Sequence, residues 1–351
     1  MSAQPTKVGV IGYGRSTKVF HLPLLRSLPK LYRVTHLLSR RSLELPDIQV
    51  VDHDAFFQSD IELVVITTEN KTHFSYARDA LLSGKNVVVE KPFTATLEEG
   101  EQLVKLAKEK GLILSIFQNR RWDADFLTLK SLIANDRLGK VVNIVSRFDR
   151  YRPNGKGGWR ETDETSGGVL FDLGSHLIDQ IVSMLGVPHA IHAIVLRQRQ
   201  LPSVTTDDFF ELQLRYPQTL VTLSAGMLVR SSSPRFVVHG TKGTWTKPGL
   251  DVQEGQLVDG LNPSSHPDTF GVESRENWGT IDTELDDGLH FVGSLEGPRG
   301  HYQGFYINVH EAMTKKDPSV LEVKPEQALL TMKILSKAKK ASETNGVVNL
   351  E

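Results

Sequence analysis

The sequence contains no cysteine, so disulfide bonds, thiolate metal sites and a cysteine nucleophile are excluded. It also lacks an excess of charge, because the formal net charge is −1, and this indicates no electrostatic attraction to nucleic acid or to an anionic membrane. No run approaches the roughly 18–20 apolar residues that span a bilayer. The N-terminal segment lacks the apolar stretch of a secretory signal. We therefore expect a cytoplasmic protein that binds neither nucleic acid nor membrane.

The length of 351 residues exceeds one ordinary hydrophobic core, so two domains are expected. Residues 1–120 alternate strand and helix patterns, and the β-branched run at 63–67 is typical of a strand buried on both faces. This alternation predicts a doubly wound parallel sheet. Residues 121–351 alternate mostly in period two, with short turns between segments, and predict an α+β domain with a large, mostly antiparallel open sheet. Residues 250–300 are rich in Gly, Asp, Ser and Pro, and we assign no secondary structure to them from the sequence.

A Gly-Tyr-Gly sequence at 12–14 follows a strand pattern and precedes a helix pattern over 19–28. The first glycine permits a tight turn, the second lets the backbone approach a pyrophosphate, and the helix N-terminus attracts the anion. We therefore predict a dinucleotide site at Gly12, Gly14 and Arg15. Thr17 stands where a third glycine is usual. A purely structural turn is the alternative.

The end of the second predicted strand indicates which cofactor binds. An acidic residue there accepts from the ribose 2′-hydroxyl of NAD, whereas arginine accommodates the 2′-phosphate of NADP. The chain has Ser39, Arg40 and Arg41 at this place, with no acid before Glu44. A guanidinium holds phosphate through charge-assisted hydrogen bonds. The pattern predicts NADP(H) rather than NAD(H), and two solvated surface arginines are the alternative.

Three residues suggest proton and charge handling. Asp172 and His176 are four residues apart, so on a helix their side chains share one face. A carboxylate beside an imidazole can position a hydroxyl group and exchange its proton, because the ordinary histidine pKa of about 6.5 suits both directions. Lys91 follows a strand, at the edge where parallel sheets bind ligands. A structural histidine and a surface lysine are the alternatives.

These motifs resemble the Gfo/Idh/MocA oxidoreductase family over almost the whole chain. The similar segments are the glycine turn at 12–14, Val-Phe-His at 19–21, Thr-Glu-Asn-Lys-Thr-His at 68–73, Glu-Lys-Pro-Phe at 90–93, Asn-Arg-Arg-Trp-Asp at 119–123 and Asp-Leu-Gly-Ser-His at 172–176. The block at 119–123 discriminates best and resembles the NADP-dependent scyllo-inositol dehydrogenase-like branch. The resemblance implies a Rossmann domain at 1–120 and a substrate-binding, dimerisation domain at 121–351. It also implies a homodimer and reversible oxidation of a cyclitol, sugar or related polyol.

The resemblance assigns catalysis to Lys91, Asp172 and His176. Lys91 would be the cation at the reacting oxygen, His176 the general base or acid, and Asp172 the acceptor for a substrate hydroxyl. The family shows a cis peptide after this lysine, which the sequence leaves open. Further cofactor contacts are expected from Thr67, Asn70, His73, Glu90, Lys91, Arg120 and Trp122. Further substrate contacts are expected from Arg120, Trp159 and Tyr302.

Some alternatives stay open. The segment at 120–123 would otherwise be a charged linker with a core tryptophan. No metal is expected, because the cofactor carries the hydride. Besides an NADP(H)-dependent enzyme, the chain could be an NAD-linked inositol or aldose dehydrogenase, or a non-catalytic NADP-sensing regulatory protein of the same fold.

Overall fold

The computed structural model describes residues 4–350. Residues 1–3 and 351 lie outside the described residues, and the prediction about a secretory signal falls partly there. The strands are β1 Thr6–Ile11, β2 Tyr32–Leu38, β3 Gln49–Val51, β4 Leu63–Ile66, β5 Asn86–Val89, β6 Leu114–Ile116, β7 Val141–Arg147, β8 Ala190–Leu196, β9 Phe209–Arg215, β10 Leu220–Gly226, β11 Phe236–Gly240, β12 Gly243–Lys247, β13 Gly279–Glu284, β14 His290–Leu295 and β15 Val347–Asn349.

The helices connect and flank these strands. The α-helices are α1 Leu22–Arg26, α2 His53–Gln58, α3 His73–Leu82, α4 Leu97–Lys110, α5 Ala124–Ala134, α6 Trp159–Thr162, α7 Ser175–Leu185, α8 Gln253–Val258, α9 Gln303–Lys315 and α10 Pro325–Thr344. Two segments are π-helical, Thr17–His21 and Leu170–Gly174, and four are 3₁₀-helical, Asn70–Thr72, Asn119–Trp122, Arg275–Asn277 and Pro318–Val320. No helix within residues 4–350 is both long and apolar enough to cross a membrane.

The first sheet is parallel, with six strands in the order β3-β2-β1-β4-β5-β6. This is the strand order of the Rossmann fold, which binds ligands where the order reverses, beyond the carboxyl ends of β1 and β4. All four residues of β4 are buried, as expected for a strand covered on both faces. Local signals bound the helices. In α4, Thr96 and Glu99 form a capping box, and Gly111 ends the helix with a φ of 64°.

The second sheet has nine strands in the order β14-β13-β12-β11-β7-β10-β9-β8-β15. β7 and β10 pair in parallel, and the other neighbours are antiparallel. One face is covered: alternate residues of β9 (Phe210, Leu212 and Leu214) lie in a buried apolar cluster with residues of α5, α7 and α10. The predicted fold class is confirmed for both sheets.

Contacts within the chain divide it into two compact units. The first comprises the residues up to Asn119 together with Gln253–Gly271 and His301–Leu329, and it contains the parallel sheet. The second comprises Arg120–Val252, Val272–Gly300 and the residues from Leu330 onward, and it contains the nine-stranded sheet. The division at 120/121 into a cofactor domain and a substrate domain stays a prediction.

Candidate active site

The turn after β1 requires glycine at its first position. Gly12 has a φ of 98°, a conformation that residues with a side chain rarely adopt. Its N–H donates to the carbonyl of Leu38 at 3.0 Å. A β-carbon at Gly12 would lie 3.0 Å from Oγ1 of Thr67 and 3.1 Å from Cγ2 of Thr68. The backbone therefore packs closely against the segment that follows β4.

Thr17 replaces the usual third glycine and closes the same turn from the other side. Its buried hydroxyl lies 2.9 Å from the carbonyl of Gly12 and 2.7 Å from the hydroxyl of Thr67. Because Thr67 donates to Ile11, Thr17 is the donor in both contacts. These bonds tie the turn to the end of β4. In the usual motif, a third glycine lets the helix pack closely against the strand. In this chain, the hydrogen bonds of Thr17 make that connection instead.

The helix after the turn differs from the α-helix predicted over 19–28. The chain first forms the π-helix Thr17–His21, in which the N–H of Leu22 donates to the carbonyl of Thr17, and then the short α1. Pro23 is the physical reason, because it has no N–H to donate to the carbonyl of Val19. Such π-helical turns occur often at functional sites.

The residues of this turn fit a dinucleotide. An added β-carbon at Gly14 would meet no heavy atom of the described residues within 4 Å, its chain neighbours aside, so the backbone faces open space. The exposed Arg15 places Nη2 3.6 Å from Oε1 of Glu254 on α8. Open space beside backbone N–H groups is what a pyrophosphate needs.

The predicted 2′-phosphate residues follow β2 directly. Arg40 and Arg41 are exposed, and the N–H of Arg41 donates to Oγ of Ser39 at 3.1 Å. Within residues 4–350, neither arginine forms an ion pair with a carboxylate. Both guanidinium groups can therefore reach an anionic ligand without first breaking an internal ion pair.

The predicted residues after β4 are largely buried. Thr67 donates to the carbonyl of Ile11 at 2.9 Å, and Asn70 is buried at the start of a 3₁₀ turn. His73 is completely buried, and its ring nitrogens lie 3.0–3.1 Å from three backbone carbonyls, those of Thr68, Pro92 and Phe93. Burial lowers the pKa of His73, against the opposing effects of these carbonyls and of Glu90, and the ring joins the segment after β4 to the loop after β5.

Glu90 and Lys91 follow β5, and the Lys91–Pro92 peptide bond is cis. The Glu90 carboxylate accepts from the N–H of Lys91 at 2.9 Å and from Nε2 of His21 at 3.0 Å, and Ser16 donates to it as well. Burial opposes its charge, but the bond and charge of His21 and the bond from Ser16 outweigh burial and lower the pKa of Glu90 to about 2. The carboxylate is therefore ionised at neutral pH.

Asp172 and His176 lie in consecutive helical segments of the second unit. Asp172 is in the π-helix Leu170–Gly174, and His176 is the second residue of α7. His176 is buried, whereas the side chain of Asp172 is 37% exposed and forms an ion pair with Arg160, whose Nε lies 3.5 Å from Oδ1. Arg160 also lies over the ring of Trp159, 4.6 Å from its centroid. The predicted substrate residues Trp159 and Asp172 are thus linked through Arg160.

Gly167 and Gly168 precede this segment because the space beside them is occupied. A β-carbon at Gly168 would lie 2.1 Å from Oδ1 of Asp207, and Gly168 has a φ of 84°. The Asp207 carboxylate accepts from the N–H of Leu170 at 2.7 Å, and its carbonyl accepts from the N–H of Val169 at 3.1 Å. Asp207 thus anchors the start of the segment that carries Asp172.

Asp207 leads to a prediction about stability and pH. Burial raises its pKa to about 6, against the opposing effects of the Leu170 N–H and of Lys339. The folded protein keeps a proton that the unfolded chain releases near a pKa of about 4, so Asp207 makes stability fall as pH rises from about 4 to about 6. Asp207→Asn keeps an acceptor for Leu170 but cannot ionise. We expect the difference between the urea midpoint of the variant and that of the wild type to increase in favour of the variant as pH rises from about 4 to about 6.

The control for this measurement is Asp268→Asn, which changes an exposed carboxylate. Its urea midpoint should follow that of the wild type at every pH. If the urea midpoints of Asp207→Asn and the wild type changed equally with pH, the assigned role of Asp207 would be contradicted.

The 3₁₀ turn Asn119–Trp122 is bonded to α7. Arg121 donates from Nε and Nη2 to the two carboxylate oxygens of Asp179, both at 2.8 Å, and both side chains are buried. Asp179 lies three residues after His176 on the same helix. The bidentate pair therefore fixes the position of α7 from a residue of the 120–123 segment, for which the sequence left a charged linker as the alternative.

Gln180, the residue after Asp179, provides a second connection between α7 and the 3₁₀ turn. Gln180 donates from Nε2 to the carbonyl of Arg120 at 2.7 Å, and its Oε1 accepts from Nη2 of Arg235 at 2.6 Å. Arg235 is buried between the rings of Phe148 and Phe236, at 4.2 and 4.0 Å. The Arg120 guanidinium is itself 3.5 Å from the Asp123 carboxylate. Backbone and side chain of Arg120 are thus both held.

The remaining predicted residues are also buried. Trp122 is buried in the turn, and Tyr302 is buried just before α9, where its N–H donates to Oε1 of Gln253 at 2.7 Å. In the part of the chain that the structure describes, no group of three or more histidine or carboxylate side chains could hold a metal ion.

The predicted site residues fall into the two units. The first unit holds the predicted cofactor residues Gly12, Gly14, Arg15, Ser39, Arg40, Arg41, Thr67, Asn70, His73, Glu90 and Lys91, and also Tyr302. The second holds Arg120, Trp122, Trp159, Asp172 and His176. The sequence did not point to Asp179, Gln180, Asp207 or Arg235. The spacing of three and four residues from His176 is the one signal that could have drawn attention to Asp179 and Gln180.

Comparison with known proteins agrees with this geometry. Residues 6–118 match the oxidoreductase family with an NAD-binding Rossmann fold, and residues 126–246 match the GFO/IDH/MocA C-terminal domain. The chain is similar to scyllo-inositol 2-dehydrogenase (NADP(+)) IolW of Bacillus subtilis, with 36% identity over 98% of this chain and 96% of that protein. It is 37% identical to an uncharacterized oxidoreductase of Schizosaccharomyces pombe, over 99% of each chain.

A solved structure supports the same assignment. The structure of yvaA from Bacillus subtilis matches with a TM-score of 0.93 and 35% identity, over 99% of both chains. Similarity at this level extends over both sheets and both matched segments. The chain therefore belongs to the Gfo/Idh/MocA family of oxidoreductases, with an N-terminal NAD(P)-binding Rossmann fold.

Proposed function

We propose that the protein is an NADP(H)-dependent oxidoreductase that transfers a hydride between the nicotinamide and a hydroxyl or carbonyl carbon of a cyclitol, sugar or related polyol. The observation that carries the proposal is the similarity, over almost the full length, to a scyllo-inositol 2-dehydrogenase that uses NADP. Two features agree with it: the exposed arginine pair after β2, and the presence of Lys91, Asp172 and His176.

In this proposal the cofactor supplies only the hydride acceptor or donor. In the oxidation direction His176 removes the proton of the substrate hydroxyl, and in the reduction direction it returns that proton. Lys91 donates a hydrogen bond to the same oxygen and stabilises the negative charge that develops there. Asp172 accepts from a neighbouring substrate hydroxyl. The 3.5 Å contact between Asp172 and Arg160 would then be exchanged for the substrate.

The test of this function is a screen for NADP reduction with inositols, aldoses and sugar acids. The proposal expects turnover with at least one of them. Binding of NADP(H) without turnover on any would favour the alternative of a regulatory protein with the same fold. Faster turnover with NAD than with NADP would favour the NAD-linked inositol or aldose dehydrogenase.

The NADP preference leads to a prediction at Ser39. In the Ser39→Asp variant, a carboxylate would repel the 2′-phosphate and accept from the 2′-hydroxyl of NAD instead. We expect the ratio of kcat/KM for NADP over NAD to fall by about 10- to 100-fold, the range of one or two charge-assisted hydrogen bonds. Arg40→Ala should lower the same ratio by removing a phosphate contact.

The matched control is Arg33→Ala, which removes an exposed arginine near the opposite end of β2. Its cofactor ratio should equal that of the wild type. If Ser39→Asp and Arg40→Ala also left the ratio unchanged, the assignment of these residues to the 2′-phosphate would be wrong.

We also propose that the second unit binds substrate and forms a homodimer through its nine-stranded sheet. One face of that sheet is covered within the chain. Ile194 and Leu196 on β8 and Leu220 on β10 lie on the opposite face and are exposed. Apolar side chains on an uncovered sheet face are typical of an interaction surface. A cytoplasmic location stays a prediction.

A further inference from the structure

A buried polar chain in the first unit runs from α9 to the loop after β5. The hydroxyl of Tyr306 lies 2.5 Å from Nδ1 of His21, and Nε2 of His21 lies 3.0 Å from Oε1 of Glu90. Tyr306 and His21 are completely buried. We call these three residues the Tyr306–His21–Glu90 chain. It joins residues 285 positions apart in the sequence.

The direction of one hydrogen bond follows from the carboxylate. Ionised Glu90 can only accept, so Nε2 of His21 carries the proton that it donates to Glu90. The other ring nitrogen, Nδ1, lies within hydrogen-bond distance of the Tyr306 hydroxyl, which can donate or accept. Tyr306 therefore holds the ring in the orientation that points Nε2 at Glu90. Without the tyrosine hydroxyl, Nδ1 would be a buried nitrogen lacking this partner.

Aromatic packing holds the middle of the chain. The His21 ring lies 4.2 Å from the ring of Phe117, and the ring of Tyr306 lies 5.7 Å from that of Tyr32. Tyr32 donates its own hydroxyl to the backbone carbonyl of Tyr306 at 2.7 Å. The ring positions are therefore set by packing, and the Tyr306 hydroxyl is left to orient the imidazole.

Glu90 connects the predicted cofactor turn to the predicted catalytic lysine. One carboxylate oxygen accepts from Ser16, two residues beyond Gly14, and the other accepts from the backbone N–H of Lys91 at 2.9 Å. A carboxylate that rotates would loosen both contacts together. Glu90 thus joins the backbone of Lys91 to the residue that follows the dinucleotide turn through one carboxylate.

We propose that Tyr306 and His21 are positioning residues for Lys91 that act through Glu90. They hold the Glu90 carboxylate in the one orientation that bonds both Ser16 and the Lys91 N–H. The inference rests on the proposed function, because Lys91 is assigned there to the reacting oxygen. It adds two residues that touch neither substrate nor cofactor.

The experiment compares Tyr306→Phe with Tyr32→Phe. Each variant removes one buried tyrosine hydroxyl and one hydrogen bond, but only the Tyr306 hydroxyl contacts His21. We expect Tyr306→Phe to lower kcat by about tenfold, because the variant loses one buried hydrogen bond that positions Lys91 for the transition state. Tyr32→Phe should keep kcat within about twofold of the wild type.

A second readout does not depend on activity. Hydrogen exchange of the Lys91 amide reports directly on its bond to Glu90. Exchange should accelerate in Tyr306→Phe and stay unchanged in Tyr32→Phe. Between variants of His21, glutamine keeps an N–H donor for Glu90, so His21→Gln should retain more activity and slower Lys91 exchange than His21→Leu.

The outcomes separate the two proposals. If the wild type turns over a polyol but Tyr306→Phe matches Tyr32→Phe in kcat or in Lys91 exchange, the positioning role is overturned and the proposed function stands. If the wild type turns over no polyol, the proposed function is overturned, and the positioning role in catalysis is overturned with it, whatever the exchange data show.

Discussion

Replacing His176 by alanine is expected to lower kcat for polyol oxidation by about 100- to 10,000-fold, the range in which a positioned general base contributes. The physical reason is that the hydroxyl proton then has no acceptor of suitable basicity as the hydride departs. The KM for NADP should change little, because His176 is not among the residues assigned to the cofactor. Steady-state kinetics over a range of pH measures both quantities.

Two further measurements support this prediction. His189→Ala removes an exposed histidine from the same unit and should leave kcat unchanged. Added imidazole should restore part of the activity of His176→Ala, because the small side chain leaves space for an external base. Equal rates in His176→Ala and the wild type would remove His176 from the mechanism.

Removing one partner of the buried Arg121–Asp179 pair is expected to have the largest effect on stability. In Arg121→Ala the Asp179 carboxylate, 2% exposed, loses two hydrogen bonds of 2.8 Å. An uncompensated buried charge of this kind costs about 3–5 kcal/mol. Urea unfolding followed by tryptophan fluorescence measures the loss, and kcat should fall as well, because the pair holds the helix that carries His176.

A double variant separates stability from positioning. Arg121→Met combined with Asp179→Leu removes both charges, and apolar replacement of a buried pair is often neutral for stability. We expect the double variant to recover most of the stability but not the activity. Lys242→Ala, which removes an exposed ion pair with Asp136 in the same unit, should leave both unchanged. Full activity in the double variant would show that the pair does not position α7.

Much of the fold could be predicted because its signals are local. The β-branched runs of β4 and β5 and the glycine that ends α4 lie within single segments, and they indicated the parallel sheet directly. The strands β12 to β14 and the helix α9 were not predicted. β13 and β14 lie in the segment 250–300, which is rich in turn-forming residues, and Ile281 is the one large apolar residue that β13 buries, so the strand pattern is weak there.

Two local expectations were refined by the structure. The helix predicted over 19–28 is present as the π-helix Thr17–His21 followed by α1, and Pro23, which has no N–H, is the reason for the π-helical start. From the sequence alone, the glycine pair at 167 and 168, just before Asp172, predicts a loop with room to approach a ligand. In the structure, the space beside Gly168 is taken by Asp207 and the space beside Gly167 by the carbonyl of Asp163.

The sequence by itself determined the family, the two kinds of sheet, the dinucleotide turn and the candidate residues Lys91, Asp172 and His176, because each of these rests on residues that are close together in the chain. Only the tertiary structure decided what holds those residues. The Arg121–Asp179 pair spans 58 residues and the His21–Tyr306 bond spans 285. No local pattern encodes such contacts, since they exist only after packing has buried both partners, and burial is what makes each lost hydrogen bond costly.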